Sequence, residues 1–135
     1  MLNLTVIRLA FIHGSSMSPN LDHGSVAIVW QLFYYPQNGD IVVFDSKTVL
    51  GVSVVKRVIA VGGQTVLIKN NMVYLDDLLI DEPYLYEYNW STPNLSVYVP
   101  SDYVFVMGDN RNQSKDSRDF GCLPVSSIIG KVLFK

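Results

Sequence analysis

Val52-Ser53-Val54-Val55-Lys56-Arg57-Val58-Ile59-Ala60-Val61 and then, after Gly62-Gly63-Gln64, Thr65-Val66-Leu67-Ile68-Lys69-Asn70-Asn71-Met72-Val73-Tyr74-Leu75 decide the fold. Both runs are dense in β-branched residues, which crowd a helix but fit a pleated surface. Asparagine tolerates positive φ, so Asn70-Asn71 suits a two-residue hairpin turn between the strands that flank it. Further strands are expected at Val26-Ala27-Ile28-Val29-Trp30, Asp40-Ile41-Val42-Val43-Phe44, Val97-Tyr98-Val99, Tyr103–Met107 and Ile128–Phe134. No window sustains helical periodicity, and Gly and Pro punctuate the chain throughout. The reading is an all-β domain.

Composition narrows the function classes. A chain of 135 residues is one domain's length, expected to span 1–135, with 49% hydrophobic and only 16% charged residues. The net charge of −2 has no basic cluster behind it, which argues against a nucleic-acid partner. Two histidines and one cysteine are too few for a usual His/Cys metal site, so no metal is expected. Cys122 cannot form an internal disulfide and reads as a packing residue. No run approaches the ~18–20 apolar residues that span a bilayer. The apolar opening, residues 1–12, reads as a strand interrupted by Arg8; whether a further segment precedes it is open.

One stretch does not fit a plain β domain. Gly108-Asp109-Asn110-Arg111-Asn112-Gln113-Ser114-Lys115-Asp116-Ser117-Arg118-Asp119-Phe120-Gly121 sets short polar and charged residues between two apolar segments. A buried network whose members satisfy one another explains such a run economically, because unpaired buried charge is expensive. The aromatic, proline-bearing segment 81–94 reads more simply as a peripheral loop packed on its own side chains, with a partner surface as the alternative.

Lys56 and Arg57 are two cations inside an apolar strand. Alternation sets Lys56 with Val54, Val58 and Ala60, and Arg57 with Ser53, Val55 and Ile59, without saying which set faces the core. Arginine stays charged, whereas a desolvated lysine can lose its proton. In His13-Gly14-Ser15-Ser16-Met17-Ser18-Pro19-Asn20 the serines read first as turn formers. A serine nucleophile needs a base. His13 is too close in sequence to serve, and His23 lies in a turn-like stretch, so a neutral lysine is the remaining base. This links Ser16 to Lys56, a serine–lysine variant of the nucleophile–base arrangement. A hydroxyl such as Ser114 can then accept from the amine, with Asp116 and Arg118 paired to brace it. The alternative is a salt-bridged turn with no catalytic link.

These residues resemble type I signal peptidases, membrane-bound serine proteases that remove signal peptides from secreted proteins. Four blocks match in order: 14–20, where the serine before methionine is the nucleophile; Gly39-Asp40-Ile41-Val42-Val43-Phe44; 56–63, whose lysine is the general base; and 108–121. The resemblance implies a mostly antiparallel fold with two β regions, related to that of self-cleaving repressors, with only a short insert at 82–96, as in Gram-positive members. It implies Ser16 as nucleophile, Lys56 as base, Ser114 orienting the lysine, and Asp116–Arg118 as a bracing ion pair. Gly14 stands where some relatives carry an oxyanion-hole serine, so backbone donors, chiefly the Ser16 amide, would serve. Met17 would wall the substrate pocket. Asn20, Ala60 and Gln64 depart from the family's usual residues.

The function implied is cleavage of signal peptides after small-x-small sequences at the outer face of the cytoplasmic membrane, with signal peptides and a lipid surface as partners and no cofactor. Relatives carry membrane-spanning segments before the nucleophile block, and the expectation is that this chain lacks that anchor. A pilus-assembly factor that binds rather than cuts is the alternative. A self-cleaving repressor fits less well, since no Ala-Gly pair precedes Ser16. A plain β binding module leaves Lys56 and the 108–121 run unexplained.

Overall fold

A computed structural model describes residues 6–45, 53–85 and 87–134; Val52 and the first five residues of the expected opening strand lie outside them. The strands are β1 (Ile7–Phe11), β2 (Val26–Trp30), β3 (Ile41–Asp45), β4 (Ser53–Val61), β5 (Thr65–Lys69), β6 (Met72–Leu75), β7 (Leu78–Leu79), β8 (Leu95–Tyr98), β9 (Tyr103–Met107), β10 (Leu123–Pro124) and β11 (Ile128–Phe134). A seven-stranded sheet runs β1-β2-β11-β3-β4-β9-β10, and a four-stranded sheet runs β7-β6-β5-β8. Every strand pairing recorded is antiparallel. Asn70 and Asn71 both adopt positive φ, 52° and 63°, in the β5–β6 hairpin, as their side chains allow.

Three apolar clusters hold the sheets. Ile59, Ala60, Phe105 and Met107 of the larger sheet pack against Val66, Ile68 and Val73 of the smaller one, with Trp90 among them. Ala27, Val29, Val43 and Val55 meet Met17 and Leu21 from the β1–β2 connection. Val42, Phe44, Val58, Val104 and Val106 form the third. β4 lies between β3 and β9 and contributes to all three clusters.

β4 departs from simple alternation. The β4–β9 register jumps from Val58↔Val106 to Ala60↔Phe105, a bulge that leaves Ile59 as the extra residue. Val58, Ile59 and Ala60 are therefore all buried, and Val58 and Ala60 join different clusters rather than sharing one face with Lys56. The polar stretch also contains helix that periodicity could not show: a 3-10 turn at Arg111–Gln113 and the single-turn α1 (Ser117–Phe120). At the far edge, β1 exposes Ile7, Leu9 and Phe11 while burying Ala10. Among the described residues, no helix is long and apolar enough to cross a membrane.

Candidate active site

The loop joining β1 to β2 is closed at its base by hydrogen bonds from Ile12 N to Ser25 O (2.9 Å) and from Gly24 N to Ile12 O (2.8 Å). Met17 and Leu21 drop into the core, each 1% exposed, and so anchor the loop from within. Ser16 is thereby held half-buried against β4. Lys56 Nζ lies 2.7 Å from Ser16 Oγ. The remaining wall of the site comes from the polar stretch: Asn110 N donates to Ser16 O (2.9 Å) and Asn110 Nδ2 to Ser15 O (3.0 Å).

Gly108 must be glycine for this arrangement. A Cβ there would fall 2.3 Å from Ser114 Oγ and 2.6 Å from the Ser16 carbonyl oxygen. The nucleophile loop, Gly108 and Ser114 are thus in direct contact.

Lys56 is 4% exposed and its ammonium has a pKa lowered to about 8. Burial is the main cause; the Arg118 charge adds to it, while Asp116 and Asp109 work the other way. A lysine so placed is neutral in an appreciable fraction near neutral pH and can accept the serine proton. Its hydrogen bond goes to Ser16, and Ser114 Oγ donates instead to Asp116 Oδ2 (2.7 Å). Among the described residues no hydrogen bond joins Lys56 to Ser114, so the structure brings Ser114 beside the pair without engaging the amine.

Asp116 gathers the stretch together. Its carboxylate accepts from Gly108 N (3.0 Å), Ser114 Oγ, Arg118 N (3.2 Å), Arg118 Nε (2.8 Å) and Arg118 Nη2 (2.9 Å). Burial alone would raise its pKa, but the hydrogen bond and charge of Arg118, with the Gly108 amide and Ser114 hydroxyl, hold it below the usual carboxylate range. Asp116 and Arg118 are not neighbours on an extended face. Asp116 is the N-cap of α1 in a capping box with Asp119, and the pair closes across that cap.

Several participants escaped the sequence reading. Asp109 takes both Arg57 Nε (2.8 Å) and Nη2 (2.7 Å), and Asn20 Nδ2 (2.8 Å). Arg57 also stacks over the Tyr84 ring at 4.0 Å, so both β4 cations are engaged. Asn20 further donates to Tyr84 O (2.8 Å), a tie its short amide can make. Glu82 pairs with Arg111, whose Nε donates to Gly108 O (2.8 Å), and Trp90 lies near the guanidiniums of both Arg111 and Arg118. Glu82, Tyr84 and Trp90 thus brace the site. Among the described residues every buried side-chain nitrogen and oxygen has a partner.

Beside Ser16 and Lys56 is a pocket of about 100 Å³, walled by Ile12, Gly14, Met17, Val54 and Val55 and flanked by His13. Gly14 N donates to His23 Nδ1 (2.9 Å), whereas the Ser16 amide has no acceptor among the described residues. No group of three or more His, Cys, Asp or Glu that could hold a metal ion occurs among them either. A hydroxyl, a desolvated amine, a free amide and a small apolar pocket together suit nucleophilic attack on a carbonyl.

A family model described as signal peptidase, peptidase S26, matches residues 1–135. The chain is 40% identical over 146 residues to a probable signal peptidase I-1 of Synechocystis sp., covering all of this chain and 74% of that protein. It is 35% identical over 150 residues to the signal peptidase I of Bacillus caldolyticus, covering 99% of this chain and 81% of that protein. It resembles the crystal structure of a signal peptidase I from Enterococcus faecalis V583 with a TM-score of 0.64 and 34% identity, covering 74% of this chain and 97% of that one.

Proposed function

This chain belongs to the signal peptidase family, peptidase S26, and we propose that it removes signal peptides with Ser16 as nucleophile and Lys56 as general base. The observation that carries the reading is the 2.7 Å contact between Ser16 Oγ and a buried lysine amine with a pKa near 8. Neutral Lys56 takes the hydroxyl proton as Ser16 Oγ attacks the scissile carbonyl carbon. The unengaged Ser16 amide is the oxyanion donor. The lysine, now protonated, gives its proton to the leaving amine. Water, deprotonated by the same lysine, then releases the acyl group. Asn110 and Gly108 fix the position of the nucleophile, and the Asp116–Arg118–Ser114 cluster sets the field around the amine. Ser114 acts through Asp116 and Gly108 in this reading.

The pocket's size, about 100 Å³, and its apolar walls favour a short side chain before the cut, which supports small-x-small specificity. β1 leads directly into the nucleophile loop and exposes Ile7 (55%), Leu9 (57%) and Phe11 (63%), with Phe33 at 97%. Such apolar exposure on the strand that enters the site supports a lipid surface as partner; action at the extracytoplasmic side of the cell membrane is part of the same proposal. The proposed unit is a single catalytic domain with a small insert at 82–96.

Incubation with a peptide bearing an Ala-x-Ala junction tests this. Wild type should cut once, after the second alanine, while Ser16→Ala and Lys56→Met remain folded and inactive. A wild type that binds the peptide but leaves it intact would instead favour a binding role.

A further inference from the structure

His23 makes a polar contact beside the nucleophile turn that the proposed chemistry leaves unused. Its Nδ1 accepts the Gly14 amide at 2.9 Å, and its ring meets His13 edge-to-face with centroids 5.9 Å apart. Gly14 has φ of +84°, a conformation reserved in practice for glycine, and lines the same pocket as Ser16 two residues later. His13 flanks that pocket as well. One imidazole therefore contacts His13 and Gly14, two of the three residues that precede the nucleophile. His23 itself follows Leu21 and Asp22, and Leu21 is anchored in the core, so its position is set by the loop's own packing.

We infer that His23 is a positioning residue for Ser16, holding the Gly14 N–H turned to the imidazole so that the Ser16 amide alone faces the oxyanion. A glycine peptide with no side chain and no partner has several accessible orientations. An acceptor at one end selects a single orientation. The structure requires Nδ1 to be the acceptor, which places the ring proton of neutral His23 on Nε2. Asparagine offers an oxygen near the position of Nδ1 and can replace it; alanine cannot. This inference rests on Ser16 being the nucleophile, as proposed above.

The test uses the whole chain and two variants, His23→Ala and His23→Asn. His23 is exposed, so both are expected to fold. Two readouts separate this inference from the reading beneath it. Amide hydrogen exchange, followed by NMR, should show the Gly14 amide protected in wild type and His23→Asn and exposed in His23→Ala, whatever the activity. With the Ala-x-Ala peptide, kcat should fall about tenfold in His23→Ala with KM little changed, and recover to within about threefold in His23→Asn. An unprotected Gly14 amide in wild type, wild-type kcat in His23→Ala, or equal loss in both variants would overturn the inference. A wild type that cuts nothing while its Gly14 amide is protected would sink the peptidase mechanism and leave the His23 tether standing.

Discussion

Replacing Lys56 by methionine should make the protein more stable at neutral pH. The fold holds this lysine at a pKa of about 8 against an ordinary 10.5, mainly by burial. Each pKa unit corresponds to about 1.4 kcal/mol, so the buried ammonium is disfavoured by about 3 kcal/mol relative to the unfolded chain. Between pH 8 and 10.5 the unfolded state binds more protons at this site, and stability therefore rises with pH across that window. The full penalty is present below about 8 and absent above 10.5. Lys56→Met removes it but also loses the hydrogen bond to Ser16, a loss of about 1 kcal/mol. The variant should then be about 2 kcal/mol more stable at pH 7, with the advantage shrinking and reversing as pH approaches 10.5. Urea unfolding of both proteins at pH 7 and pH 10 measures this directly. A variant less stable than wild type at pH 7, or a difference that ignores pH, would refute the burial argument on which the base depends.

Asp116→Asn should remove the carboxylate that receives five donors and leave Arg118, whose side chain is only 7% exposed, without its anion. Denaturant unfolding should show a loss of about 3–5 kcal/mol. Because Asp116 raises the Lys56 pKa and Arg118 lowers it, the rate profile should also move to lower pH; a shift to higher pH contradicts the assignment. The depressed Asp116 pKa stabilises wild type above the ordinary carboxylate value and is lost as pH falls toward its folded value, so the variant's stability should vary less through that acid range. Gly108→Ala would drive a methyl into Ser114 and the Ser16 carbonyl. Its kcat should drop about hundredfold or more, with peptide affinity retained, and near-normal turnover would show that the nucleophile does not depend on that contact.

The longer strands were readable in the sequence because β-branched runs between Gly and Asn turns leave little else to form, and the Asn70-Asn71 hairpin was readable from two side chains that tolerate positive φ. The two-residue β7 and β10, by contrast, are too short to leave a pattern, and β8 runs Leu95–Tyr98 rather than 97–99. The β4 bulge was not, since inserting one residue into a ladder depends on its partner β9 and leaves no mark in the pattern of β4 itself. The polar stretch announced a network by its composition, yet its geometry depended on partners far along the chain. Glu82 with Arg111, Trp90 beside both arginines, and Asn20 with Asp109 are contacts across 21 to 89 positions that a single sequence does not pair. Ser114 was legible as a member of the site but not as a donor to Asp116, because the single turn of α1 that places Asp116 at a cap is too short to leave a periodic signal.

The pH dependence of kcat/KM for an Ala-x-Ala peptide tests the central claim most directly, because it reports ionisations of the free enzyme. The account predicts a rate that rises with a single apparent pKa near 8 and that vanishes in Lys56→Met at every pH. A rate flat from pH 6 to 10, a rise governed by a group near 10.5, or activity that survives Lys56→Met would contradict it.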